Sequence, residues 1–124
     1  MNALTLREKQ AIFAKYLAQL IVNANLRGIK VFINELYRDA LKQKQLYEQG
    51  KTQTLRSMHM FGLAADLIIL KNGKPILEHV KEYDFLGELW ESWGGRWGGR
   101  FTSLGDIYHF EYSDQMAERE KGTE

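Results

Sequence analysis

The sequence predicts an α+β domain, a small antiparallel sheet with helices around it. Three observations carry that expectation. Apolar residues recur with helical period from Ile12 to Ala24, behind a Thr5-Leu6-Arg7-Glu8 capping box. The run Leu63 to Leu70 has the length and composition of a buried strand and leads into Asn72-Gly73, a hairpin-turn dipeptide. Ile107 to Tyr112 alternates like a further strand. The 124 residues suit one compact domain, and three Trp, six Tyr and six Phe supply area for its core.

The elements follow in order. Thr5 to Leu26 reads as a helix: Thr5 accepts from an amide three residues on, Glu8 reaches back, and Gly28 stops the run. Its stripe is Ile12, Phe13, Tyr16, Leu17, Leu20, Ile21 and Ala24. Lys30 to Tyr37, with Val31, Phe32 and Ile33, reads as a short strand. Asp39 caps a second helix that runs through Glu48 and ends at Gly50. Lys51 to Met58 is polar and reads as a loop. Leu63 to Leu70 and Lys74 to Leu77 form a hairpin. Asp84 to Trp93 is a helix, followed by the glycine-rich Gly94-Gly95-Arg96-Trp97-Gly98-Gly99-Arg100. No repeat, low-complexity block or linker interrupts residues 1–113, which read as one domain. The remaining stretch, 114–124, has four acids and two bases and reads as a charged tail, a solvated helix end or disordered tip.

Composition narrows the chemistry. A formal net charge of +1 offers no basic face for nucleic acid. The absence of cysteine excludes disulfides, thiolate metal sites and a cysteine nucleophile. Any zinc would rest on histidine and carboxylate. No apolar run approaches the ~20 residues that span a bilayer, so no stable membrane insertion is expected. The start Met1-Asn2-Ala3-Leu4-Thr5 lacks the basic and apolar regions of a signal peptide. The expectation is a chain made in the cytoplasm, which something else must release if its target lies outside.

The stretch Ser57-Met58-His59-Met60-Phe61-Gly62-Leu63-Ala64-Ala65-Asp66 holds the densest chemistry. Catalytic zinc takes three protein ligands, often two His and a carboxylate, and keeps a position for water. His59 at a loop end and Asp66 in the following strand can converge on one point, with Gly62 allowing an unusual turn dihedral and Ala64 and Ala65 leaving room. The third ligand must be His79 or His109. His79 sits in a charged segment and reads as a surface residue. His109 shares a strand face with Glu111, opposite Tyr108, Phe110 and Tyr112, and is the better candidate; spacing alone does not choose. Asp106 then stands where a base and acid for hydrolysis belongs, beside the plainer reading that it caps the turn at Gly105.

Ser57-x-His59-x-x-Gly62-x-Ala64-x-Asp66, followed by Asp106-x-x-His109, resembles the zinc peptidases of the D-alanyl-D-alanine carboxypeptidase type. These include VanY-like enzymes and phage L-alanyl-D-glutamate endopeptidases. Upstream, Tyr37-Arg38, Gln43 and Leu46-Tyr47-x-x-Gly50-Lys51-Thr52 look like that family's run, with Lys51 where relatives often have Arg. Downstream, Trp97-Gly98-Gly99-Arg100-Phe101 looks like the tryptophan–glycine segment of the phage members. The resemblance covers residues 30 to 112 and implies the fold of that family, shared with hedgehog signalling domains.

Carried over, the resemblance implies that His59, Asp66 and His109 bind zinc, that Asp106 is the catalytic acid and base, and that Arg38 stabilises the oxyanion. Gln43, Ser57 and Trp97 would be substrate-side residues. Trp90, Trp93 and Trp97 could equally be core, and at 90 and 93 a helical Trp suits packing. The implied activity is hydrolysis of a peptidoglycan stem peptide, at the L-Ala–D-Glu bond, by a monomer of a phage or prophage lysis system that acts on the cell wall after release from the host cytoplasm. A D-Ala–D-Ala carboxypeptidase or dipeptidase is the same chemistry with a closed pocket end. A non-catalytic, zinc-containing cell-wall-binding protein is the reading from another class. With no separate wall-binding module, binding would fall to the catalytic domain itself.

Overall fold

The computed structural model describes residues 3–52, 57–101 and 105–122. Helix α1 (Leu6–Leu26) starts with the expected box: the Thr5 hydroxyl accepts from the Glu8 amide at 3.1 Å, and the Glu8 carboxylate accepts from the Thr5 amide at 3.2 Å. Its stripe buries Phe13, Tyr16, Leu17, Leu20 and Ala24. Gly28, at φ +74°, makes the turn into β1 (Lys30–Glu35).

Strand β1 ends two residues before the predicted Tyr37. Its register against β2 slips between Ile33 and Glu35, a bulge after which the chain leaves the sheet. Asp39 caps α2 (Ala40–Glu48) by accepting from the Lys42 amide at 2.7 Å. Of the loop expected over 51–58, residues 53–56 lie outside the described residues; its end is already part of a 3₁₀ turn, Met58–Phe61. Strands β2 (Ala64–Lys71) and β3 (Lys74–Ile76) form the expected hairpin, with Asn72 and Gly73 both at positive φ as a type I′ turn requires.

Helix α3 (Lys81–Ser92) starts three residues earlier than predicted, because extended Val80 lets Glu82 and Asp84 occupy its electropositive first turn. The glycine-rich segment contains a two-residue strand, β4 (Arg96–Trp97), and a 3₁₀ turn at Gly98–Arg100. The last strand, β5, is confined to His109–Glu111, and α4 (Asp114–Gly122) closes the chain.

The sheet is antiparallel in the order β1-β2-β5-β4. The other edge of β2 is divided: β3 pairs with its 69–71 end and β5 with its 64–66 end. Period-two alternation sorts the faces. Ala65, Leu67 and Ile69 join Phe110 and the α1 stripe in the core, with Tyr83, Leu86 and Trp90 of α3. Asp66, with His109 directly opposite, occupies the other face, as does Ala64 opposite Glu111. Ala64 therefore borders the site, whereas Ala65 packs in the core. Trp90 ties the two faces together: its indole N–H donates to the Glu111 carbonyl at 3.0 Å.

The segment expected to be a charged tail is helical from Asp114 and sends Met116 and Ala117 into the core. Two apolar residues one position apart were enough to seat it. The rest of the helix holds to α1 through the Lys15–Glu120 ion pair at 2.6 Å. No helix among the described residues is long and apolar enough to cross a membrane.

Candidate metal centre

His59, Asp66 and His109 converge. The 3₁₀ turn presents His59, which is 2% exposed. Ser57 accepts from the His59 amide at 3.2 Å, and Gly62, at φ +66°, closes the turn. A brace from α1 holds it down: the Gln10 side-chain amide donates to the Phe61 carbonyl at 2.7 Å. The β2–β5 ladder sets Asp66 directly across from His109. One carboxylate oxygen, Asp66 Oδ1, lies 3.2 Å from His59 Nε2 and 3.3 Å from His109 Nδ1.

The outer ring nitrogens decide what the inner ones can do. His59 Nδ1 lies 2.8 Å from the Leu36 carbonyl, which can only accept, so Nδ1 carries a proton and a neutral ring leaves Nε2 bare. His109 Nε2 lies 2.7 Å from Glu111 Oε1, so its Nδ1 is bare by the same argument. Two lone pairs and a carboxylate oxygen then face one another, an arrangement that repels unless a cation sits among them. All three donor atoms lie within 4.8 Å of one another. Ligand atoms about 2.0–2.1 Å from a tetrahedral zinc are about 3.3–3.4 Å apart, close to the two separations found. The donor set fits zinc.

Without metal, a proton takes that place. Burial disfavours ionised Asp66, but the adjoining rings of His109 and His59 outweigh it and hold the carboxyl at about 2. Burial likewise disfavours charged His109, yet its bonds to Asp66 and Glu111 raise it to about 9. The stability His109 contributes to the metal-free fold is full below its unfolded value of 6.5 and lost as pH rises through about 9. The contribution of Asp66 is full above its unfolded value of 3.8 and lost as pH falls through about 2. Melting curves of metal-free protein should therefore show these contributions jointly greatest between about pH 4 and 6.5. Zinc added near pH 7 should release a proton from His109, measurable with an indicator dye in weak buffer.

Glu111 is the residue that sequence reasoning placed correctly and left without a task. It is 6% exposed, holds His109 Nε2, and is itself held by Arg96 at 3.0 Å. A carboxylate behind a ligating imidazole fixes its tautomer and raises its basicity. Glu111→Gln should weaken zinc binding about 10–100-fold, read by competition with a chromophoric chelator. Two positions after a candidate ligand on the same strand was signal enough to find it.

Asp106 is partly buried beside the cluster. Its amide donates to the Gly98 carbonyl at 2.9 Å, and its Oδ1 accepts from the Tyr108 amide at 3.3 Å. Asp106 thus caps the turn that follows it, toward Tyr108, rather than one at Gly105, and the bond orients the carboxyl. Burial pushes its pKa up, and the negative charge of Asp66 adds to the rise. A Cβ on Gly98 would come within 2.2 Å of the Asp106 carbonyl, so the glycine-rich segment serves to let these two backbones meet.

Arg38 is strapped to the turn by its backbone, donating to the His59 carbonyl at 3.1 Å. Its guanidinium donates from Nη1 to Gln43 Oε1 at 2.8 Å and from Nη2 to the Glu35 carboxylate. Gln43 is fully buried and so acts through Arg38, while Ser57 caps the His59 turn. Trp97 corrects the expectation of a substrate contact. It is 2% exposed, because β4 pairs it with Phe110 and turns it into the core, where its indole N–H donates to the Ile107 carbonyl at 3.0 Å. His79 is exposed, 2.8 Å from Asp84, and apart from the donor set.

The family model for D-alanyl-D-alanine carboxypeptidase matches residues 50–112, a span that holds all three donors and Asp106. The chain belongs to that peptidase family. This carboxypeptidase-family chain is similar to the L-alanyl-D-glutamate peptidase of a Listeria phage, with 31% identity over 90 residues covering 69% of this chain and 31% of the phage protein. It is similar to the peptidoglycan L-alanyl-D-glutamate endopeptidase CwlK of Bacillus subtilis, with 30% identity over 104 residues covering 68% of this chain and 62% of CwlK. The chain thus spans under two thirds of either relative. Among solved structures, the L-Ala D-Glu endopeptidase ChiX of Serratia marcescens matches with a TM-score of 0.63 and 25% identity, over 79% of this chain and 80% of that one. The family and fold implied by the sequence motifs are those found.

Proposed function

We propose that the chain is a zinc-dependent peptidoglycan peptidase that hydrolyses the L-Ala–D-Glu bond of stem peptides, as a monomer in a phage or prophage lysis system. It would reach the cell wall after release from the host cytoplasm. The observation that carries this reading is the cluster of His59, Asp66 and His109, its inner nitrogens bared by Leu36 and Glu111, with Asp106 beside it. The choice of bond is supported by the names of the phage peptidase, CwlK and ChiX.

His59, Asp66 and His109 would hold zinc. When bound, zinc supplies Lewis acidity that polarises the scissile carbonyl and acidifies water. Asp106 accepts a proton from the attacking water as its oxygen bonds to the carbonyl carbon. As the C–N bond breaks, Asp106 returns that proton to the leaving nitrogen. Arg38, always charged, stabilises the oxygen that gains negative charge.

Mass spectrometry of purified peptidoglycan treated with zinc-loaded protein tests the reading. A new free amino group on D-Glu is the expected result. Release of terminal D-Ala instead would move the chain to the carboxypeptidase activity that its family description names. Unchanged peptidoglycan would leave a zinc-containing wall-binding protein.

A further inference from the structure

We infer that Glu35 is the positioning residue for Arg38: with Gln43 it clamps both terminal nitrogens of the guanidinium and so fixes the place and plane of its charge. The inference rests on the role proposed for Arg38. Three observations lead to it.

The first is the division of donors. Arg38 Nη1 is taken by Gln43 and Nη2 by Glu35, while Nε is buried and has no partner among the described residues. A buried unpaired donor is costly to keep. The two ends of the guanidinium are both committed to protein acceptors, which leaves the group one orientation.

The second is burial. The side chains of Arg38 and Glu35 are 12% and 18% exposed, and Gln43 is fully buried. An exposed ion pair would be mobile and weak. Here two acceptors on separate nitrogens hold a planar group against rotation. Such immobilisation lets a donor act on developing charge without first reorganising.

The third is the bulge. Ile33 pairs with Leu67, but Glu35 rather than Asn34 pairs with Asp66. The extra residue brings Glu35 level with a metal-ligand candidate at the end of the sheet. Glu35 also lies 3.5 Å from Lys42, a solvent-facing contact that the clamp does not need.

The test uses the zinc-loaded chain carrying Glu35→Ala, Glu35→Gln or Lys42→Met, with a soluble stem-peptide substrate. Glu35→Ala should lower kcat about 10–100-fold, within the loss expected for a mispositioned or missing oxyanion donor. KM and zinc content should stay within about 3-fold, since the ligands are untouched. Glu35→Gln should recover part of the loss, and Lys42→Met should match the wild type. Nitrogen-15 NMR of the Arg38 guanidinium gives a readout independent of turnover. Separate, slowly exchanging Nη signals are expected in the wild type and in Lys42→Met, and merged signals in Glu35→Ala. Freely averaging wild-type signals, or an unchanged kcat in Glu35→Ala, would overturn the inference. A wild type that cleaves nothing but has locked Nη signals, released by Glu35→Ala, would overturn the proposed function and leave the clamp standing.

Discussion

Asp106→Asn is expected to lower kcat on stem peptides by roughly 10²–10⁴-fold, the range over which a positioned acid and base acts. The substitution is chosen for what it keeps. Asparagine retains a carbonyl oxygen that can accept from the Tyr108 amide, so the turn that delivers His109 survives. The backbone bonds of residue 106 to Gly98 and His109 are also unaffected. Only the ability to take and return a proton is lost. Melting temperature and zinc content should therefore match the wild type, and KM should change little. Steady-state kinetics beside metal analysis decides it. Full activity in Asp106→Asn would reduce Asp106 to a turn cap.

Asp66→Ala should have the larger effect on the metal. The carboxylate is the shared partner of both histidines, at 3.2 and 3.3 Å. Without it, two imidazoles remain, fixed from behind but with no negative charge between them. Zinc affinity should fall by well over the roughly 10–100-fold that an outer partner is worth, and hydrolysis should fall with it. Dialysis followed by elemental analysis reads the first loss, and peptidoglycan turnover the second. Retained zinc in Asp66→Ala would place the ion elsewhere.

The convergence of His59, Asp66 and His109, with Asp106 beside them, was legible because their spacing is local on each side of one pairing. His59, Gly62 and Asp66 lie in one stretch, Asp106 and His109 in another, and β2–β5 register joins the two. The α1 cap and stripe, the Asn72-Gly73 turn and the α2 cap were likewise short-range signals. Trp97 was misread because a two-residue strand has too little pattern to reveal its period, and the face it turns inward is set by Phe110 across the ladder. Glu35 went unnoticed for a different reason. Simple alternation would have put Asn34 across from Asp66, and no local signal marks the bulge that moves Glu35 into that place. Helix α4 was underestimated because charge dominates its composition, although burial of Met116 governs its placement.

The way the three donors are held bears on the order of assembly. Many small zinc domains are unfolded until metal arrives, since nothing else reconciles their ligands. In this chain the three donors are delivered by a strand ladder and a capped turn, both built from hydrogen bonds within the protein. If the proposed function holds, folding should precede zinc binding, and a chelator should abolish hydrolysis while the circular dichroism spectrum stays unchanged.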